Sequence, residues 1–217
     1  MSEGLVYRVT FLRHGESVGN AEERFQGHAD FPLTERGIAQ ARSLARHWRK
    51  QEVTFERCVA SPLLRARQTA EIITKALKIP LEFDEDWMEI NNGIIAGLKP
   101  EEAIQIAPPP DFTTPYTRYG KTGESRWEVY LRAGRAIQHL IDRGSGNILV
   151  ASHGGILNMA LYTLLGISPQ ANSSGPRFLF TNTSYTNFTY EPERHCWRML
   201  EFGDRQHWKD DPSEANE

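Results

Sequence analysis

Short runs of consecutive apolar residues alternate along the chain with longer stretches in which apolar positions recur every three or four residues. LVYRVTFL at 5–12, rich in β-branched and aromatic side chains, predicts a first strand. LTERGIAQARSLARHW at 33–48 predicts a surface helix with Thr34 as N-cap and Ile38, Ala41, Ala45 and Trp48 on one face. FERCVAS at 55–61 predicts a second short strand. Ser61 and Pro62 then read as cap and first-turn proline of a helix with Ala66, Ala70, Ile73 and Leu77 inward, ended by Pro80. The stretch 123–144 predicts a long helix with Trp127, Tyr130 or Leu131, Ala133, Ile137, Leu140 and Ile141 on one face. NILVAS at 147–152 is a near-continuous apolar run, as expected of a strand covered on both sides, and a helix through Leu165 follows. FLFTNTSYTNFTYE at 178–191 and CWRMLEFGD at 196–204 predict two late strands.

Strands alternating with longer helices predict an α/β fold: a three-layer sandwich with a mostly parallel central sheet flanked by helices. The pattern fits a single domain over 1–208 with a polar tail at 209–217. The least regular part is 81–123, where PPPDFTTPY at 108–116 continues neither a helix nor a central strand. Residues 92–122 are therefore expected to form an irregular insertion over the active site.

A length of 217 residues supports one substantial core. The net charge of −3 argues against a nucleic-acid partner bound by phosphate neutralisation, but leaves room for a small anionic ligand. The longest apolar stretch, at 155–166, is too short to span a bilayer, and the first residues lack the pattern of a signal peptide. No membrane association and a cytoplasmic location are expected. Two cysteines, Cys58 and Cys196, build neither a disulfide scaffold nor a four-ligand zinc site.

The chemistry gathers at strand ends. FLRHGE at 11–16 and VASHGG at 150–155 both carry a histidine followed by glycine where a strand stops. Ligands of open α/β sheets collect at such carboxyl ends, so His14 and His153 are expected to share a pocket. A third strand end, at 58–61, leads into a helix that carries Arg65. Arg13 and Arg65 would repel a metal cation but suit a phosphoryl group, which guanidinium binds bidentately. No metal and no cofactor are expected.

RHGES at 13–17 with Asn20, FQGHAD at 25–30, LTERG at 33–37, SPLLRARQTA at 61–70, MEINNGIIAG at 88–97 and ASHGG at 151–155 together resemble the histidine phosphatase superfamily, also called phosphoglycerate mutase-like. The resemblance implies that His14 is the nucleophile that becomes phosphohistidine. Arg13, Arg65 and a protonated His153 would hold the phosphate, and Glu89 would be the proton donor. Asn20, Gln26, Gly27 and Asn182 fall at positions that line the pocket. Glu16 is the less favoured donor. The attacking imidazole must be neutral at one nitrogen, so its other N–H should meet an acceptor, expected to be a backbone carbonyl. Where the family commonly has tryptophan, this chain has Gly19 in SVGN and His28 in FQGHAD, so substrate preference does not carry over.

A phosphatase lets water take the phosphoryl group, whereas a mutase returns it to the substrate. The short, apolar middle favours a phosphatase. Lys99, Arg118 and Lys121 are too few and too scattered to mark a bisphosphate site. A cofactor-dependent phosphoglycerate mutase and an inactive, protein-binding member are the alternatives. The expected partner is a small phosphorylated metabolite, and a homodimer is kept open. Trp87, Phe112, Tyr116 and Tyr119 point either to an ester with a ring or apolar portion or to a small core beneath the insertion.

Overall fold

The computed structural model describes residues 7–210. Its strands are β1 (Tyr7–Arg13), β2 (Arg57–Ala60), β3 (Leu81–Phe83), β4 (Gly146–Ser152), β5 (Tyr185–Glu191) and β6 (Cys196–Asp204). Its helices are α1 (Val18–Ala21), α2 (Glu35–Lys50), α3 (Leu64–Leu77), α4 (Pro100–Ile106), α5 (Arg126–Asp142) and α6 (Gly154–Leu164). One sheet runs β3-β2-β4-β1-β5-β6. The first four strands are mutually parallel, and β5 and β6 are antiparallel to their neighbours.

Successive side chains of a strand point to opposite faces, and the core divides accordingly. Val9, Phe11, Val59, Ile148 and Val150 pack with α5, α6 and Trp87. Leu12, Cys58, Ala60, Leu149 and Ala151 pack with Leu44, Ala45 and Trp48 of α2 and with Ala70 and Ile73 of α3. The expected three layers are present.

Most elements fall within a few residues of expectation, and the exceptions have local causes. Thr34 caps α2 by accepting from the Gly37 N–H at 3.0 Å. The helix after β2 starts at Leu64, not at Ser61–Pro62, and its first free N–H donates to Asp30 Oδ1 at 2.6 Å. Tyr130 is half-buried and Leu131 exposed, which settles the face of α5. The strand expected from 178 begins only at Tyr185, because Thr183 turns the chain with φ 55°. Edge strand β3 and the one-turn α1 were not anticipated. Of the expected polar tail at 209–217, Lys209 and Asp210 end a short 3-10 turn (Gln206–Asp210), and 211–217 lie outside the described residues, as do the first two residues of the expected first strand.

The stretch 92–122 contains α4 and a 3-10 turn at Gly93–Ile95. It pairs with the 24–29 loop (Phe25 N to Leu98 O, 2.9 Å; Gly97 N to Phe25 O, 2.7 Å). Farther along, Asn172 donates its N–H to Thr113 O and accepts from Thr113 N, both at 2.8 Å. Trp87 belongs to the main core, whereas Phe112 and Tyr116 are exposed.

Candidate active site

Three adjacent parallel strands, β2, β4 and β1, end side by side, and each delivers part of the site. Arg13 pairs in register with Ser152, so His14 and His153 leave neighbouring strands at the same level. Their ring centroids lie 5.1 Å apart. His14 is 2% exposed, Arg65 1% and His153 0%.

The backbone around His14 is clamped from several directions. His14 N donates to Ser152 O at 2.9 Å, and Thr183 N lies 3.1 Å from Arg13 O and 3.2 Å from His14 O. Asn182 Nδ2 donates to His14 O at 3.0 Å and to Asn20 Oδ1 at 3.2 Å. Thr183 is β-branched and left-handed, a conformation kept only where neighbours enforce it. The glycine after His14 answers a close approach: a Cβ on Gly15 would come 2.6 Å from Gly37 O, at the start of α2. Gly15 N also donates to Thr69 Oγ1 on α3 at 3.0 Å.

His14 Nδ1 lies 2.6 Å from Gly15 O, so a proton on Nδ1 is held there and Nε2 keeps its lone pair. The expected backbone acceptor is thus present. Arg13 Nη1 donates to Phe180 O at 2.5 Å. Arg65 Nη1 and Nη2 donate to Ala29 O and Gly27 O at 3.1 and 2.8 Å. His153 Nε2 lies 2.7 Å from Ser61 Oγ. Within the site, three nitrogens are buried without a partner among the described residues: Arg13 Nε, Arg65 Nε and His153 Nδ1. Buried donors are normally satisfied, and here they sit on the three residues that surround the His14 imidazole.

Glu89 reaches the N-terminus of α6. Its Oε2 accepts from Gly155 N at 3.0 Å, and its Oε1 from Ile156 N and Ile90 N at 3.0 and 2.9 Å. Gly155 is required for that seat, since a Cβ there would meet Glu89 Oε1 at 2.4 Å. The Glu89 carbonyl is held by His28 Nε2 at 2.8 Å and Arg132 Nη2 at 3.2 Å. Glu16 turns elsewhere, accepting from Thr34 Oγ1 at 2.7 Å.

Asn20 closes a capping box with Ser17, and Gln26 Oε1 accepts from Ser17 Oγ at 2.7 Å. Asn20, Gln26, Gly27 and Asn182 therefore shape the rim through bonds to one another, to Arg65 and to the nucleophile loop. Thr69 and Arg132 were not singled out from the sequence, Ser61 was read only as a helix cap, and His28 only as a departure from the family's tryptophan. Their partners lie far along the chain, 92 residues away for Ser61 and His153, and no local pattern marks such a pair.

Among the described residues, one group has metal-ligand geometry: Asp84, Asp86 and His139. Arg135 Nε and Nη2 grip Asp86 at 2.8 and 2.5 Å, and Arg143 lies 3.5 Å from Asp84, so arginines already neutralise these acids.

The model of the histidine phosphatase superfamily (branch 1) matches residues 9–205. The chain belongs to that superfamily. It is 34% identical over 209 residues to a Yersinia pestis protein named "Probable phosphoglycerate mutase GpmB", covering 92% of this chain and 94% of the relative. It superposes on Bacillus stearothermophilus YhfR with TM-score 0.78 and 26% identity, covering 93% and 98% of the two chains. An Escherichia coli protein described as "a putative alpha-ribazole-5'-P phosphatase" shares the fold at TM-score 0.80 and 23% identity, covering 92% and 97%. Superfamily membership and the His/Arg arrangement are those of phosphohistidine-mediated phosphomonoester hydrolysis of the acid-phosphatase type.

The electrostatics of this histidine phosphatase refine the expected roles. Burial, then Arg65 and Arg13, push the His14 pKa well below its ordinary value. Burial, then Arg65, His14 and Arg13, do the same to His153. Both shifts run toward the neutral ring. Ser61 Oγ already accepts from Leu63 N at 3.3 Å, so its proton is assigned to His153 Nε2 and the ring proton to Nδ1. A lowered pKa also keeps His14 nucleophilic in mild acid.

Both histidines bind protons more readily when unfolded, so acid favours the unfolded chain. The sign is fixed by the lowered folded values: stability is retained above about pH 6.5, the ordinary histidine pKa, and falls as pH drops below it. Each histidine contributes a slope approaching about 1.4 kcal/mol per pH unit. Urea unfolding at pH 7.0 and 5.5 measures this, and His153→Asn should flatten the dependence. A free energy unchanged between the two pH values would contradict the buried, neutral assignment.

Proposed function

We propose that this protein is a metal-independent phosphomonoester hydrolase that forms phosphohistidine on His14 Nε2. The observation that carries the reading is the set of three buried, unpartnered donors around His14. They offer hydrogen bonds and charge to phosphoryl oxygens, whose negative charge is spread over the transition state. Arg13 and Arg65 supply positive charge, and His153 donates from its neutral ring. Once the dianion has entered, its charge favours a proton on His153.

Glu89 is the proposed proton donor to the leaving oxygen and acceptor from the attacking water. Its carboxylate lies beside the α6 N-terminus together with Gly154, where a Cβ would be 3.8 Å from Arg13 Nε. The 92–122 segment bridges the 24–29 and 171–174 loops and is the proposed cover of the pocket. The proposed setting is the cytoplasm, with a small phosphorylated metabolite as substrate; no helix among the described residues is long and apolar enough to cross a membrane.

The name of the Yersinia relative favours a second reading, transfer between carbons of phosphoglycerate. Phosphorus NMR distinguishes the two. The protein is given 3-phosphoglycerate, a trace of 2,3-bisphosphoglycerate and an aryl phosphate, without metal. Growth of inorganic phosphate supports the hydrolase, whereas growth of 2-phosphoglycerate without phosphate release establishes the mutase.

A further inference from the structure

Next to the phosphate cradle lies a cavity of about 280 Å³ whose lining includes Gly154, Gly155, Tyr119, Phe178, Arg126 and Arg177. It shares its glycines with the catalytic centre: Gly155 N donates to Glu89, and Gly154 lies against Arg13. Neither Arg126 nor Arg177 makes an ion pair among the described residues. Arg126 Nε is buried without a protein partner, and the guanidinium carbon stands 5.9 Å from the Tyr162 ring centroid.

The placement of Arg126 is unfavourable by itself. It is the first residue of α5, where the helix dipole opposes a cation. The surroundings nevertheless hold both arginine-bearing segments firmly. Asn158 Nδ2 donates to Gly154 O and Phe178 O at 2.9 and 2.7 Å, and its Oδ1 accepts from Phe178 N at 2.9 Å. Tyr162 Oη donates to Pro176 O at 2.7 Å. Arg177 thus rides on a backbone fixed on both sides, and Ser125 anchors α5 by its capping box. Rigid segments that present two uncompensated cations to one cavity are preorganised for an anion.

Two of the three cations weighed from the sequence for a second anion are engaged elsewhere. Arg118 bonds Glu128 at 2.5 Å and Gly123 O at 3.0 Å, and Lys121 Nζ donates to Ile106 O at 3.0 Å. Glu89 is the nearby carboxylate, and three N–H groups already hold it.

We infer that this cavity is the subsite for a second anionic group of the substrate, read by Arg126 and Arg177. The substrate class is then a phosphomonoester whose alcohol portion carries a carboxylate or a further phosphate-like group on an apolar or ring body flanked by Tyr119 and Phe178. The inference rests on the phosphomonoester hydrolase reading.

Three aryl esters of one shape test it: phenyl phosphate, 4-carboxyphenyl phosphate and 4-phosphonophenyl phosphate. The wild-type protein should favour at least one of the charged esters over phenyl phosphate about tenfold in kcat/KM, chiefly through KM. Which one it favours identifies the anionic group. Arg126→Met and Arg177→Met should each reduce that preference several-fold, and Arg126→Lys should restore part of it. Because each variant is compared with itself on the uncharged ester, a general loss of folding cannot imitate the result. Equal turnover of all three esters by the wild type overturns the inference and leaves the hydrolase standing. Equal losses on all three esters in the variants also overturn it. Turnover of none of the three, and of no other monoester, removes the hydrolase reading and this inference together.

Discussion

His14→Ala abolishes phosphate release, lowering kcat by ~10⁴-fold or more, because no other side chain can take the nucleophile's place. The geometry leaves no substitute: His153 Nε2 is occupied by Ser61, and Glu89 is bound by three N–H groups. The variant should still bind inorganic phosphate, since Arg13, Arg65 and His153 remain. Brief reaction of the wild type with a radiolabelled ester, quenched in alkali, should trap label on the protein, and the variant should trap none. Retention of more than about one-hundredth of the wild-type rate would show that the phosphoryl group does not pass through His14.

Arg65→Met carries the second largest effect, a fall of about 10³-fold in kcat/KM. Arg65 is 1% exposed, and burial lowers its pKa to about 10, so it is still cationic at neutral pH. Methionine keeps much of the length and removes the charge. It also leaves Gly27 O and Ala29 O without their donors, which adds a stability cost of about 1–3 kcal/mol for each carbonyl left buried and unpaired. Urea unfolding separates that cost from the catalytic one. Arg65→Lys restores charge without the fork and should recover only part of the rate. Activity of Arg65→Met within tenfold of wild type would remove this residue from the phosphate cradle.

The sequence disclosed those elements whose signals are local. Thr34 and the apolar face of α2, and the uninterrupted NILVAS run, need no knowledge of the rest of the fold. β3 escaped notice because three residues at a sheet edge, with Phe83 exposed, carry no alternation to detect. Ser61 was misread for an instructive reason. A serine before proline is a good cap by every local rule, yet its hydroxyl serves His153, and Asp30 from a distant loop caps the helix instead. His14, Arg13, His153 and Arg65 stood out because strand ends concentrate chemistry. Glu89 was legible only through the family resemblance, since the acidic run around it looks like ordinary surface. Arg126 gave no signal at all: its significance lies in a cavity assembled from four separate segments.

The position of β1 has a dynamic consequence. All its residues pair with β4, and Tyr7–Leu12 pair with β5 as well. A strand enclosed on both edges releases its amide protons only when the sheet itself opens, so exchange at 9–12 follows global unfolding. Residues 107–117 are held by a few bonds between exposed loops and exchange through local opening instead. Local opening of this segment, the proposed cover of the pocket, therefore leaves the strand that carries His14 closed.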